Sequence, residues 1–381
     1  MPRMSDFTSI TASEPLMREL RDRIARSGPM TFRAFMEACL YHPQHGYYTT
    51  SATAPSRGGD FLTSPEIHPV FGALVGRTLH ELWQIMGQPQ RFDVLEPGAG
   101  TGVLARDVLR WSRDNDVSFT AALRYHLFDR SPVMRDAQRR ALAGLDLPPT
   151  AAVIADDLPP SIEGVVLTNE FIDAFPVHRV VRQGDALREV YVSVEDGRFV
   201  DHLGPLSVPA LQSYFDALAL LPGNGCYAEV NLDAIAWMRD VAQRLERGYI
   251  LSLDYGYEAA DLYAPWRKDG TLLCFYKQSA SSDPYQRIGK QDMTASVDFT
   301  TLKRTGEESG LTTLALTDQS SFLVRLGIAE GITESQANME EYFARRTVVM
   351  SLIDPARLGR IKVLLQGKGV PPGLPVGVRD A

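Results

Sequence analysis

The residues of this chain best suited to chemistry run Val94-Leu95-Glu96-Pro97-Gly98-Ala99-Gly100-Thr101-Gly102. An apolar run ends in an acid, and a glycine-rich turn opens a helical pattern near Val103. Glycines let a backbone turn without a Cβ clash and approach a ligand closely. The helix start adds unpaired N–H donors. A corner of this kind, at the carboxyl end of a parallel strand, is where α/β sheets bind ligands. Gly100, Gly102 and Ala105 also satisfy GxGxxG/A, so the glycines alone fit a nicotinamide dinucleotide as well as S-adenosylmethionine. Two acids favour the second. Glu96, just before the loop, suits a cationic ligand better than a pyrophosphate. Asp129, 27 residues beyond Gly102 at the next strand end, is placed to accept hydrogen bonds from both ribose hydroxyls.

Acids continue at the later strand ends. Asp156 and Asp157 follow a third strand, where a carboxylate contacts an adenine amino group or belongs to a solvated loop. Thr168-Asn169-Glu170-Phe171-Ile172-Asp173 follows a fourth, beside the expected position of a transferred methyl group. Asn169 has a second reading there as a helix cap. Methyl transfer is an in-line displacement, so most of the catalysis lies in placing nucleophile and methyl group. Glu170, Asp173 and Asp254 are candidates to align a cationic nitrogen or accept its proton. An arginine acceptor fits carboxylates because its guanidinium stays charged and takes them bidentately. The competing reading is that these acids pair with nearby arginines of the chain.

These groups need a scaffold, and the sequence outlines one. From residue 91, short apolar strands alternate with helices: Phe92–Glu96, Tyr125–Asp129, Ala152–Ala155, Val165–Thr168 and Tyr249–Asp254. Leu104, Val108 and Trp111 mark one helix, and Ile235, Met238, Val241 and Leu245 another. That rhythm indicates βαβ units and a mostly parallel sheet. Residues 177–206 break it, with antiparallel strands over Val177–Arg182, Glu189–Val194 and Arg198–Leu203, an inserted β-ribbon. Before the core, Leu16, Leu20 and Ile24 form one helical face, stopped at Gly28-Pro29, and Thr31 caps a second helix carrying Phe32, Phe35, Met36 and Cys39. Thr63 or Ser64 caps a third, with Pro65 at its first position and Val70, Phe71, Leu74 and Leu82 along it. Late strands are expected at Leu311–Leu316 and Phe322–Leu326, then helices at Met339–Leu352 and Leu358–Gln366. The domains expected are a helical extension (1–90), a Rossmann-like core (91–176 and 226–330), the inserted substrate-side segment (177–225) and a helical carboxyl-terminal segment (331–381).

Composition excludes several classes. At 381 residues, 44% hydrophobic and 23% charged, the chain is of ordinary globular make-up. A net charge of −8 argues against a nucleic-acid partner, which would need a basic face. Cys39, Cys226 and Cys274 are far apart, so a disulfide framework or zinc site is not expected. His42 and His45 have no further ligands nearby and read as a polar turn rather than a metal site. No stretch approaches the roughly 18 apolar residues of a membrane span, and the start reads as neither signal peptide nor presequence. A cytoplasmic protein is expected, and the excess of arginine over lysine points to a GC-rich bacterial source.

The motifs together resemble the MidA family. Gly59–Ile67 (GDFLTSPEI), Glu96–Gly102 (EPGAGTG), Asn169–His178 (NEFIDAFPVH), Leu253–Tyr257 (LDYGY), Gly270–Tyr276 (GTLLCFY) and Gln291–Phe299 (QDMTASVDF) occur in the family's order across nearly the whole chain. The family includes a mitochondrial arginine methyltransferase that assists complex I assembly. The resemblance implies a class I (Rossmann-like) methyltransferase fold with a mostly parallel seven-stranded sheet, and S-adenosylmethionine as cofactor. By motif, Gly98, Ala99, Gly100 and Asp129 would bind the cofactor, with Asp60, Thr63, Ser64, Pro65 and Glu66 lining the same pocket. Asn169, Glu170 and Asp173 would face the acceptor, with Asn169 also contacting the cofactor. Many bacterial relatives carry His at the positions of Ser296 and Gln278, so the acceptor here is expected to differ if those groups contact it. The leading expectation is N-methylation of a protein arginine. The others are a small-metabolite methyltransferase, a cofactor-binding assembly protein without turnover, and a nicotinamide oxidoreductase. A homodimer is compatible with the sequence.

Overall fold

The computed structural model of the chain describes residues 12–50, 63–330 and 339–379. Helix α1 (Glu14–Ser27) buries Leu16, Leu20 and Ile24 and ends at Gly28, whose φ of +81° suits glycine. Helix α2 (Phe32–Tyr41) starts where the Thr31 hydroxyl accepts from the Ala34 N–H. The next helix, expected to be continuous, is two: α3 (Ser64–Ile67) and α4 (Pro69–Ile85). Pro69 bars His68 from helical geometry, and His68 adopts φ −163°, ψ 145°. Its Nδ1 then caps α4 by accepting from the Val70 N–H at 3.1 Å.

The core follows as β1 (Phe92–Pro97), α5 (Val103–Asn115), β2 (Leu123–Phe128), α6 (Pro132–Leu142), β3 (Ala152–Ala155) and β4 (Ile162–Asn169). The insertion contributes β5 (His178–Gln183), β6 (Ala186–Glu195) and β7 (Arg198–Gly204), joined by β8 (Tyr227–Val230). Helix α7 (Leu232–Arg244) and β9 (Leu245–Asp254) return to the core. A small sheet of β10 (Leu273–Tyr276), β11 (Ser279–Ser281) and β12 (Asp292–Thr294) precedes α8 (Phe299–Glu308) and β13 (Thr312–Asp318). The chain then forms α9 (Gln319–Arg325), α10 (Met339–Ile353) and β14 (Lys362–Lys368).

Seven strands form the main sheet in the order β13-β14-β9-β4-β1-β2-β3. Strands β9, β4, β1, β2 and β3 run parallel to one another, and β14 runs antiparallel to both β9 and β13. Both faces are covered. Val94, Val165 and Leu251 pack with Phe71 and Leu79 of α4 and Leu104 and Val108 of α5. Their neighbours Leu95, Val166 and Ile250 pack on the other face with Met238 and Val241 of α7 and Phe299 and Leu302 of α8. Buried on both sides, these strands read as apolar runs rather than alternating ones. This is the expected α/β class with its mostly parallel sheet.

Two late elements differ from expectation. Residues around Phe322–Leu326 are helical, because the Asp318 carboxylate accepts from the Ser321 N–H and caps α9. Conversely, Leu358–Gln366 is mostly strand: Val363, Leu364 and Leu365 are buried in β14 between β9 and β13. The carboxyl-terminal segment expected to be helical therefore supplies an interior strand of the main sheet, next to the edge. A short apolar run fits either period, and pairing on both edges decides it. The inserted ribbon is also larger than expected. Strand β5 pairs with β8, and β6 pairs with both β7 and Met30–Thr31 of the amino-terminal extension.

Candidate active site

A cavity of about 670 Å³ opens at the carboxyl ends of β1, β2 and β4. Its floor is the glycine loop, where Gly98, Gly100 and Gly102 have φ of +64°, +51° and +80°. These left-handed values are open to glycine at little cost. The Gly98 N–H donates to the Phe128 carbonyl at 2.8 Å, tying the loop to the end of β2. A Cβ on Gly98 would stand 2.5 Å from the Phe171 ring, so that glycine also lets the loop after β4 approach.

Glu96 is buried at the base of the cavity and accepts from the Tyr125 hydroxyl at 2.7 Å. Burial pushes its carboxyl up to about 8, and the nearby Asp129 charge adds to this. Asp129 is pushed up to about 6, again by burial, although the N–H groups of Ser131 and Gly100 favour its ionised form. A cation entering beside these acids would restore their ionised forms. Thr63, Pro65, Glu66, Gly98, Ala99 and Gly100 also line the cavity. The Thr101 hydroxyl donates to Glu66 at 2.9 Å, locking α3 to the glycine loop.

Three expected cofactor contacts lie elsewhere. Ser64 does not line the cavity: it is fully buried, its hydroxyl donating to Gln319 at 3.0 Å and its N–H to Glu170 at 3.1 Å. Asp156 and Asp157 sit exposed after β3, with Asp156 facing Arg135 of α6 at 3.6 Å. Leu158 takes the lining position instead. Asp60 lies outside the described residues.

The second end of the cavity is acidic. After β4 the chain makes a turn rather than a helix, so Asn169 is not a cap. Glu170 holds a left-handed φ of +47°, a costly state for a residue with a Cβ. Its Oε1 accepts from Ser64 N–H and, at 3.3 Å, from the Asn169 amide. Oε2 of Glu170 and Oδ1 of Asn169 are buried with no hydrogen-bond partner. Burial raises the Glu170 carboxyl to about 8, and that of Asp173, 6% exposed, well above the usual carboxylate range. The charges of Asp254 and Asp292 push both further in the same direction.

Asp254 has a different place from the one expected of it. It does not line the cavity; it accepts from the N–H groups of Phe171 (3.1 Å), Ile172 (2.8 Å) and Tyr255 (2.9 Å). It shapes the loop that presents Glu170 and Asp173. His178, at the end of the same motif, bonds Glu189 at 2.7 Å inside the inserted sheet.

Other lining residues were not singled out from sequence. Arg33, Glu37 and Tyr41 project from one face of α2, and Asp233, Ala236, Trp237 and Asp240 from one face of α7. Arg33 spans the two helices, its Nη2 donating to Asp233 at 2.7 Å and its Nη1 to Glu37 at 3.0 Å. Trp237, Phe171 and Phe175 pack edge to face, with centroids 4.9 to 6.4 Å apart. Tyr48 and Asp292 complete the wall, the hydroxyl donating to the carboxylate at 2.6 Å. The available signal was polar residues at helical spacing within amphipathic helices (33, 37, 41 and 233, 236, 237, 240). The residues at Ser296 and Gln278 do not line the cavity.

The arrangement fits S-adenosylmethionine. The glycine loop offers close backbone approach, Asp129 offers an acceptor at the second strand end, and the buried Glu96 offers a partner for positive charge. Among the described residues no group of three His, Cys, Asp or Glu is arranged to hold a metal, and no helix is long and apolar enough to cross a membrane.

Comparison with known proteins agrees with this site. Residues 74–317 match the family described as "Putative S-adenosyl-L-methionine-dependent methyltransferase". The mitochondrial homolog of the protein arginine methyltransferase NDUFAF7 from Drosophila melanogaster is 30% identical over 93% of this chain and 85% of its own. The mitochondrial NDUFAF7 of Mus musculus is 30% identical over 82% of this chain and 74% of its own. A Burkholderia thailandensis protein, solved bound to S-adenosyl-homocysteine, superposes with a TM-score of 0.88 at 32% identity, over 96% of this chain and 95% of that one. A glycine loop at the end of β1, an acid at the end of β2 and this family match along most of the chain lead to one conclusion: the chain belongs to this family of S-adenosyl-L-methionine-dependent methyltransferases.

Proposed function

We propose that the chain N-methylates an arginine side chain of a protein acceptor. The observation that carries this reading is the charge of the cavity. Glu37, Glu66, Glu96, Asp129, Glu170, Asp173, Asp233, Asp240 and Asp292 line it, against Arg33 and Arg130. Arg33 is already committed to Asp233 and Glu37. Such a cavity selects cationic ligands, and a guanidinium offers five donors to oxygens that lack partners. The relatives named as protein arginine methyltransferases support the same acceptor class.

When bound, S-adenosylmethionine supplies an electrophilic methyl group whose bonding pair stays on the sulfur. Glu170 and Asp173 hold the acceptor nitrogen, orient its lone pair and take the proton it releases. Their raised affinity for protons suits them to that task near neutral pH. Phe171, Phe175 and Trp237 line the cavity as an aromatic wall, which excludes water from the reacting atoms.

The test is methylation of arginine-containing peptides and of small amines with labelled S-adenosylmethionine, followed by hydrolysis and amino-acid analysis. Methylarginine from peptide, lost in Glu170→Gln, supports the reading. Label found only on small amines would assign a metabolite acceptor instead.

A further inference from the structure

We infer that Asp292, oriented by Tyr48, forms a second jaw of the acceptor site, gripping the guanidinium together with Glu170 and Asp173 from outside the seven-stranded sheet. This rests on the arginine reading above. Asp292 opens β12 of the small sheet, is 6% exposed and lines the cavity. The Ala295 N–H, just past β12, donates to the Asp173 carbonyl at 3.0 Å, so this segment is anchored beside the acidic turn of the core. Glu170, Asp173 and Asp292 all line the one cavity, and the Asp292 charge adds to burial in raising the proton affinity of the other two.

Three carboxylates gathered in one buried space repel one another unless a cation joins them. One oxygen of these carboxylates, Glu170 Oε2, and the neighbouring Asn169 Oδ1 are buried there without a partner. An ammonium ion is a compact point charge with three donors, whereas the planar fork of a guanidinium reaches several carboxylates at once. Oxygens drawn from a core turn and from an appended sheet therefore match a guanidinium better than an amine.

Tyr48 acts as a positioning residue. It sits on the helical turn Tyr47–Thr50 and donates to Asp292 Oδ1 at 2.6 Å. Its ring lies 5.4 Å from that of Tyr41, whose own hydroxyl is engaged with the Ala174 carbonyl at 2.9 Å. The amino-terminal extension thus orients a carboxylate of the small sheet toward an acceptor held by the core.

The experiment titrates ethylguanidine, with ethylammonium as a control, into the full chain saturated with S-adenosylhomocysteine, using calorimetry or NMR. The wild type is expected to bind ethylguanidine saturably and in preference to ethylammonium. Asp292→Asn is expected to weaken that binding by about tenfold or more, the cost of losing a charged hydrogen-bond partner, while S-adenosylhomocysteine affinity stays unchanged. Tyr48→Phe is expected to weaken it by about twofold to fivefold, less than a charged partner, and to shift the pH dependence of ethylguanidine binding, which a purely structural loss would not do. Equal affinity in wild type and Asp292→Asn overturns the inference and leaves the arginine reading intact. If Asp292→Asn cannot hold S-adenosylhomocysteine, Tyr48→Phe decides: unchanged affinity and pH profile overturn the inference. A wild type that holds S-adenosylhomocysteine but binds no guanidine overturns the arginine reading, and this inference falls with it.

Discussion

The two ends of the cavity are built on opposite plans. The cofactor end comes from nearly contiguous chain: Glu96 to Gly102 after β1 and Asp129 after β2, held by Gly98 N–H to the Phe128 carbonyl. The acceptor end gathers α2, the turn at Tyr47–Thr50, the loop after β4, α7 and β12, segments up to about 260 residues apart. The cofactor end meets its needs through backbone geometry, with glycines and N–H groups. Its buried acid is Glu96, whereas the acceptor end crowds Glu170, Asp173 and Asp292 together, so that their charges add to burial in raising the proton affinity of Glu170 and Asp173. A strand-turn-helix corner can serve any protein of this fold, whereas an acceptor site must be assembled afresh around each substrate.

One substitution on each side separates the two ends, beginning at Gly98. Gly98→Val needs φ +64° and puts a side chain against Phe171. Left-handed strain costs about 1–2 kcal/mol; the empty loop relieves it by shifting and binding must restore it, so S-adenosylhomocysteine affinity should fall by about fivefold to thirtyfold in calorimetry. Undiminished binding would mean that the loop does not hold the cofactor. Asp173→Asn should do the reverse, leaving that affinity intact while turnover on the acceptor falls by about a hundredfold, the usual scale for a proton-handling group. A full rate in that variant would make Asp173 structural and erase the division drawn between the ends.

Asp254→Ala tests the support behind the acceptor end. Three N–H groups lose their acceptor, and each buried orphan costs about 1–3 kcal/mol. A clear drop in melting temperature is expected, with acceptor turnover lost at temperatures where the chain is still folded. A variant as stable as wild type would show that the Phe171–Asp173 turn holds its shape without Asp254.

The pH dependence of acceptor binding should report on Glu170. Burial raises the carboxyl of Glu170 to about 8, so in the empty site it gives up its proton as pH rises through about 8. A cationic acceptor binds the ionised form better, so acceptor affinity should rise as pH climbs through about 8, with proton release on binding. Glu170→Gln should flatten that rise in a series of KM measurements. The smallest effect belongs to the mouth: Arg33→Ala removes a partly exposed ion pair to Asp233 and should change stability by only about 0–1 kcal/mol. A larger loss in chemical denaturation would mean that the extension and core depend on that bridge.

Much of this was legible because it is local. The apolar runs at Phe92, Tyr125, Ala152, Val165 and Tyr249 lie in strands of the main sheet, and the acid-glycine corner at Glu96 to Gly102 sits where a parallel sheet binds ligands. The caps at Thr31 and Gly28 state their helix ends in one or two residues. By contrast, β14 looked helical in isolation, because Val363, Leu364 and Leu365 take their strand form from partners on both edges. Ser64 resembled a cofactor contact and turned inward to Gln319, 255 residues away. Asp156 and Asp157 resembled adenine contacts and stayed in solvent.

By itself the sequence determined the layered α/β core, the glycine corner and the acid that follows each strand, since these depend on periodicity and on neighbours within a few residues. Only the tertiary structure decided which acids share a cavity, which of them merely brace a loop, and that Tyr48 and Asp292 meet there. The physical reason is that burial and mutual repulsion, which set how a carboxyl group behaves, come from groups brought together across the fold.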